Sequence, residues 1–543
     1  MKVPSWKPIV KVFTLTLCVA AMVATPLKAA DTLAVVSIKP TDRLLTDAEY
    51  VLEATGTNGI AQFVMPTIKS FLQHVDGKRP IGMVLSVDGP EFIPLGFLPV
   101  TDLDAFIEQI QEQVGPPTDA GDGIKEFQGP QQSIYVKEQN GWAFIGQNVE
   151  SLSDLPKDPA KLLDGLDQKY DLAVQVHVNN VPDVYRQMAM DQIKAGLQQA
   201  QLNTDSDAAK VTREQLEQQM EAIQEMDVVT LGWQIDPEEK QTYLDMAVTA
   251  TPGTKLAKQM EMAQETTKYS GFVVPDAAMS ANLSAVIPAD QIQGQVAAFD
   301  ELEESALKEI DSDTNLTDEN ARKAAKQIVT GFMGIVRETM KTGKIDSCMS
   351  VILKPKAMTL VSANHVASGT AVEDAVKQLV EMAKNEPEIT FSSVKFNAGE
   401  HAGVRLHTMA LPIPEDEYLR QVMGDQLEIV VGASDESAYF ALGTDGMDYL
   451  KKMIDASSSS GGKKLDPMGM TISVTPILEF VDSIEPNPIV ASLSQSIAAS
   501  EGKDRIQVKM TAIENGVTYR FAIEEGILRL IGQAVQMGGA GGF

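Results

Sequence analysis

The chain has 543 residues, with 45 Lys and Arg against 75 Asp and Glu and a formal net charge of −30. So acidic a balance works against binding to nucleic acid or to anionic membrane surfaces. Two cysteines, Cys18 and Cys348, exclude a disulfide-stapled scaffold, so stability has to come from a large apolar core.

Residues 1–29 read as a secretory signal. Lys2, Lys7 and Lys11 precede a mostly apolar run of 13 residues, Val12 to Ala24, and Leu27-Lys-Ala29 fits a cleavage site before Ala30. Cleavage there leaves 41 Lys and Arg against 75 acids, a balance of −34, and only Cys348. No later segment holds 18 consecutive apolar residues, so no helical membrane span is expected after the signal. The expected location is periplasmic or secreted.

Beyond the signal, one pattern occurs four times: strand, helix–break–helix, β-hairpin, helix. The opening strands are Leu33–Ile38, Leu172–Val178, Met279–Ile287 and Met468–Thr475, and each runs into a proline (Pro40, Pro182, Pro288, Pro476). In the first unit, helices over Leu44–Thr55 and Ile60–Val75 are split by Gly56-Thr-Asn-Gly59. In the second, Thr212-Arg-Glu-Gln215 has the spelling of a capping box. In the third, Ile292, Val296, Phe299, Ala306 and Ile310 form one helical stripe. Ala321, Ala325, Ile328, Phe332, Ile335 and Val336 form the next, with Thr317 as the expected N-cap between them. Pro486-Asn-Pro488 breaks the helices of the fourth.

The hairpin turns fall at Asp88–Glu91, Asp236–Lys240, Lys354–Lys356 and Glu514–Gly516, and the Asn-Gly of the last suits a type I′ turn. Closing helices are expected at Thr101–Val114, Thr254–Gln264, Thr370–Lys384 and Glu525–Gln536. Further strands are Ser133–Val136, Trp142–Gly146, Ile389–Phe396, Val404–Met409, Leu427–Val431 and Tyr439–Leu442, and Ser457–Lys464 reads as a flexible link. The expected fold is α+β: two tandem similar halves, 30–268 and 269–543, each a broad, mainly antiparallel sheet with helices packed on one face.

Chemical motifs are sparse. Asp311-Ser-Asp-Thr-Asn315 imitates the start of an EF-hand loop, but Leu316 replaces the turn glycine and Arg322 the bidentate Glu. Asp311, Asp313 and Asn315 are thus an incomplete calcium set, and a polar interhelical loop is expected there, as at Asn203–Asp207. His401 and His407 are read on one strand, about 20 Å apart, too far to share an ion. Ser460-Gly-Gly-Lys463 and Ser500-Glu-Gly-Lys503 carry an S-x-x-K spelling without its helical context, and no phosphate-binding glycine loop is present. Cys348 reads as packing on a strand. No catalytic, cofactor-binding or complete metal set emerges, and no cofactor is expected.

The segment Ala30-Asp-Thr-Leu-Ala-Val-Val-Ser-Ile-Lys-Pro40, together with the repeat layout, resembles secreted domain-of-unknown-function proteins of planctomycete-type bacteria. That resemblance implies an exported bacterial protein and assigns no site residue. The expected function is a non-enzymatic envelope or secreted protein that binds or scaffolds an unidentified partner. The alternatives are a periplasmic carrier of lipid or another apolar ligand, favoured by 25 methionines, and a hydrolase with a dispersed site.

Overall fold

The computed structural model describes residues 31–539 except 90, 130–131, 189, 193–219, 264–265, 314–317, 385–389, 414–416 and 460–463. The signal segment, Thr212–Gln215, Asn203–Asp207, Asn315 and Ser460–Lys463 lie outside the described residues. The chain divides into two compact units, one of 31–48, 60–209 and 226–234, the other of 49–59, 210–225 and 235–543.

The first unit contains β1 (Asp31–Ile38), most of α1 (Thr41–Ala54) and α2 (Asn58–Phe71), β2 (Ile81–Asp88), β3 (Glu91–Pro99) and α3 (Leu103–Val114). It continues with β4 (Thr118–Gly121), β5 (Ile124–Gln128), β6 (Ser133–Gln139), β7 (Trp142–Gly146), α4 (Leu166–Lys169), β8 (Leu172–His177) and β9 (Met226–Asp236). Its strands lie in the order β9-β8-β1-β2-β3-β7-β6-β5-β4, all antiparallel. Alternation along β1 buries Leu33, Val35 and Ser37, as a half-covered strand requires.

The second unit begins its regular structure with β10 (Gln241–Ala250), α5 (Lys255–Met260), β11 (Met279–Val286), α6 (Ala289–Ser312) and α7 (Glu319–Lys341). Next come β12 (Lys344–Lys354), β13 (Ala357–His365), α8 (Gly369–Ala383), β14 (Ser393–His401), β15 (Val404–Pro412), α9 (Glu417–Met423), β16 (Gln426–Ser434) and β17 (Ser437–Gly443). The chain closes with α10 (Gly446–Ser459), β18 (Met468–Ser473), α11 (Val474–Ile484), α12 (Pro488–Ala498), β19 (Arg505–Ile513), β20 (Gly516–Glu524) and α13 (Glu525–Gly539). The antiparallel order is β10-β20-β19-β18-β11-β12-β13-β17-β16-β15-β14. Adding ten to each strand number of the first unit's order reproduces the order from β19 to β14. The α+β class is as expected. Residues 235–268 cluster with the second unit, where β10 pairs with β20 from Gln241↔Glu524 to Thr249↔Gly516.

In the second unit helices cover both sheet faces, not one. Leu450, Met453 and Ile454 of α10 join Val361, Leu406, Val430 and Ala441 in one core cluster. Val372, Val376 and Val380 of α8 join Met409 and Val431 in another. Adjacent residues such as Val430 and Val431 point to opposite faces, so these inner strands are apolar on both and gather a helix on each.

Local details also depart from expectation. Asp318 caps α7, accepting from the Asn320 and Ala321 amides at 2.6 and 3.0 Å, and the expected cap Thr317 lies outside the described residues. Ser457–Ser459 belong to α10; the Ser458 and Ser459 hydroxyls donate to the carbonyls four residues back, both at 2.9 Å. The β19–β20 hairpin turns at Glu514-Asn515 between the paired Ile513 and Gly516, and of the two only Asn515 takes a positive φ, 52°, so the turn is not the type I′ expected from Asn-Gly.

Candidate functional site

The second unit contains a groove of about 730 Å³ bounded by α7, α8 and the sheet. Ile328, Phe332, Ile335 and Val336 of α7 supply one wall, and Val372, Val376, Leu379 and Met382 of α8 the other. Their i, i+3, i+4 spacing places each set along one side of its helix. Phe299 of α6 contributes at one side, and Ser347, Asn364 and Ala438 form a floor from β12, β13 and β17.

Two features position α8. Its N-cap Ser368 accepts from the Ala371 amide at 3.2 Å. Gly369 lies so close to the turn after β16 that a Cβ there would stand 1.7 Å from the Ser434 carbonyl oxygen. Any larger residue would lift the helix off the sheet. Although α7 and α8 meet the groove with apolar faces, Phe332 remains 63 %, Ile328 41 % and Leu379 39 % exposed. Exposed apolar side chains converging on a concave surface mark a binding site more often than a structural accident.

The polar groups of the groove are few and mostly occupied. Ser347 Oγ donates to Asn364 Oδ1 at 2.6 Å, and Asn364 Nδ2 donates to Ser362 Oγ at 3.3 Å. Asp346 accepts from the Thr267 hydroxyl and, at 2.9 Å, from the Lys268 amide. His365 Nε2 stands 3.2 Å from Thr342 Oγ1, while Nδ1 has no hydrogen-bond partner. Burial holds its imidazole below the ordinary value and Lys344 pushes the same way; Glu436, whose carbonyl already takes the Val366 amide, opposes them. The neutral ring therefore suits an apolar surrounding.

The residues singled out in the sequence are not brought together. His401, at the end of β14, pairs with Asp455 at 2.8 Å. His407, on β15, accepts from the Asn397 amide at 3.1 Å through Nδ1 and faces Glu373 at 3.3 Å through Nε2. The two histidines thus lie on neighbouring strands with separate acids. Asp311 is ion-paired to Lys326, and the Asp313 carbonyl accepts from Arg322 at 3.4 Å. Among the described residues no three His, Cys, Asp or Glu side chains are grouped to hold a metal. Ser500 is buried and donates to the Ile497 carbonyl at 2.6 Å. Cys348 is 1 % exposed and burial pushes its thiol up to about 12, which makes it packing rather than a nucleophile.

Sequence reasoning missed two charged clusters. In the first unit, Lys39 Nζ lies 2.7 Å from Asp171 and 3.4 Å from Asp47, both buried, and 3.1 Å from the half-buried Gln234. In the second, Glu373 of α8 accepts from Arg405 beside His407. Each joins residues far apart in the chain, so no local spelling announces it. Comparison with protein-family models, curated proteins and solved structures finds no match.

Proposed function

We propose that this protein is an exported binding protein for an apolar, chain-bearing ligand, held between α7, α8 and the sheet. One observation carries the reading: a groove of about 730 Å³ whose walls are aliphatic and aromatic and whose floor polar groups already bond one another. Its volume lies within the roughly 300–1,000 Å³ usual for small-molecule sites. Few unsatisfied donors or acceptors address a ligand, so burial of apolar surface drives binding, at about 25 cal/mol per Å² removed from water. Export is supported by the lysine-led apolar segment over residues 2–24. The expected partner is therefore an envelope lipid or a similar amphiphile.

The reading is tested by extracting the natively purified protein with organic solvent and analysing the extract by gas chromatography. Stoichiometric acyl or isoprenoid chains support it. An extract no richer than that of a control protein purified in parallel contradicts it.

A further inference from the structure

The opening turns of α1 are held in the first unit by a carboxyl group rather than by an apolar stripe. Over residues 42–48 Asp47 is the one buried side chain; Leu44, Leu45 and Ala48 are half-buried, and Asp42, Arg43 and Thr46 are exposed. Asp47 accepts from Lys39, which follows β1, at 3.4 Å, and a hydrogen bond joins its carboxyl to that of Asp171, which precedes β8. Lys39 Nζ donates in addition to Asp171 at 2.7 Å and to the neutral Gln234 of β9 at 3.1 Å. The charges that act on Asp47 are those of Asp171 and Lys39, and its charged neighbours on α1, Asp42, Arg43 and Glu49, are exposed to solvent.

Two ionised carboxylates beside one ammonium leave a negative charge in excess at a buried site, and a proton shared between the acids removes it. Burial and Asp171 accordingly raise the Asp47 carboxyl from 3.8 to about 6, against the pull of Lys39. Backbone bonds fix two members of the cluster. The Lys39 amide donates to the Asp171 carbonyl and the Asp171 amide to the Trp233 carbonyl, both at 2.9 Å. Asp47 instead sits on a helix that buries no apolar side chain completely over these turns, so it is the group that yields.

We infer that Asp47, Asp171 and Lys39 form a proton-operated latch, closed on the opening turns of α1 in acid and released as the shared proton leaves. The device is independent of the groove and of its ligand. Segments held by few buried apolar contacts open locally, without unfolding of the whole. The latched form binds its proton more tightly than an open form whose Asp47 titrates at the ordinary 3.8, so acid favours the latch. Rising pH favours the open form until Asp47 is ionised in both. The opening equilibrium of α1 should therefore rise about tenfold between about pH 5 and pH 7.5 and level off above that.

The test is hydrogen–deuterium exchange of the full chain by mass spectrometry at about pH 5 and pH 7.5, with rates corrected for the intrinsic effect of pH. Wild type is compared with Asp47→Asn, whose amide stands in for the protonated acid. In wild type, peptides within residues 41–48 should open about tenfold more at the higher pH, and at both pH values more readily than the core strands β6 and β7. In Asp47→Asn the pH-dependent rise should vanish. Wild-type α1 that opens equally at both pH values overturns the latch. So does α1 that exchanges in step with β6 and β7, because the pH effect would then be global. A rise in Asp47→Asn equal to that of wild type assigns the effect to another group and also overturns it. Should the variant fail to fold, the wild-type comparison of α1 with β6 and β7 still decides.

Discussion

Ser347 on β12 and Asn364 on β13 are directly paired, and their side chains bond each other at 2.6 Å in the floor of an otherwise apolar groove. This bond satisfies polar atoms that would otherwise ask a ligand for hydrogen bonds. Ser347→Ala should cost about 1 kcal/mol in chemical denaturation. In the double mutant with Asn364→Ala the two losses should fall short of additivity by a similar amount. Replacing both by apolar residues, Ser347→Val with Asn364→Leu, should strengthen palmitate binding by calorimetry. Weakened binding would mean that the polar floor contacts the ligand.

In the first unit, Lys39 faces two carboxylates, and one proton settles the imbalance. Burial, then the hydrogen bond with Asp171, raises the Asp47 carboxyl to about 6. A folded value above the unfolded one means that the native state holds this proton more tightly. The cluster's contribution is full below about pH 4 and is lost as pH rises through about 6. Asp47→Asn, which mimics the protonated acid, should flatten the stability difference over that window relative to wild type. Asp171→Asn, which removes the nearer partner of a buried ammonium, should cost about 3 kcal/mol. Urea titrations at pH 4, 6 and 8 measure both effects; a parallel pH profile for Asp47→Asn contradicts the assignment.

Glu373 ties α8 to β15. Burial alone would raise its carboxyl, but bonds from Arg405 and His407 outweigh burial and hold it below the usual range. A depressed folded value gives stability that is present above the unfolded value and lost as pH falls through the folded one. Glu373→Gln should cost about 2 kcal/mol at pH 7, and the deficit should shrink toward pH 3. Because α8 forms a groove wall, the same variant should also weaken palmitate binding. Unchanged binding would separate this cluster from the groove.

Cys348 provides a clock for unfolding. Its thiol is enclosed by β-sheet residues and α10, and it should resist aromatic disulfide reagents in the native protein. Labelling should appear only as denaturant opens the second unit, with the same midpoint as the fluorescence change. Rapid native labelling would show that this core breathes.

Much of the second unit was legible in the sequence because its signals are local and repeated. The stripe Ile328–Val336 marks its helix by period, and Asn515-Gly516 marks its hairpin by turn chemistry. The strands β4 and β5 went unseen: Thr118-Asp-Ala-Gly121 has no apolar alternation and its burial is slight. Ser457–Ser459 looked like linker because serine is common in loops, yet the hydroxyls find carbonyls four residues back within α10. Covering helices on both faces was not foreseen either. Alternation reveals that a strand has two kinds of face, but not which neighbours will occupy them. The groove itself is assembled from Phe299 through Ala438, and only tertiary structure brings these residues to one surface. Its exposed Phe332 reads in sequence like any core position of an amphipathic helix.

The central claim is that α7, α8 and the sheet clasp a hydrophobic guest. Native mass spectrometry of the purified chain, wild type beside the double variant Ile328→Asp and Leu379→Asp, tests it most directly. Both substituted positions are exposed at the groove, so the variant should fold and melt like wild type. The account predicts wild-type ions carrying an extra mass that collisional activation releases, and variant ions at the bare mass of the polypeptide. Wild type at its bare mass, or an adduct that survives equally in both proteins, would contradict it.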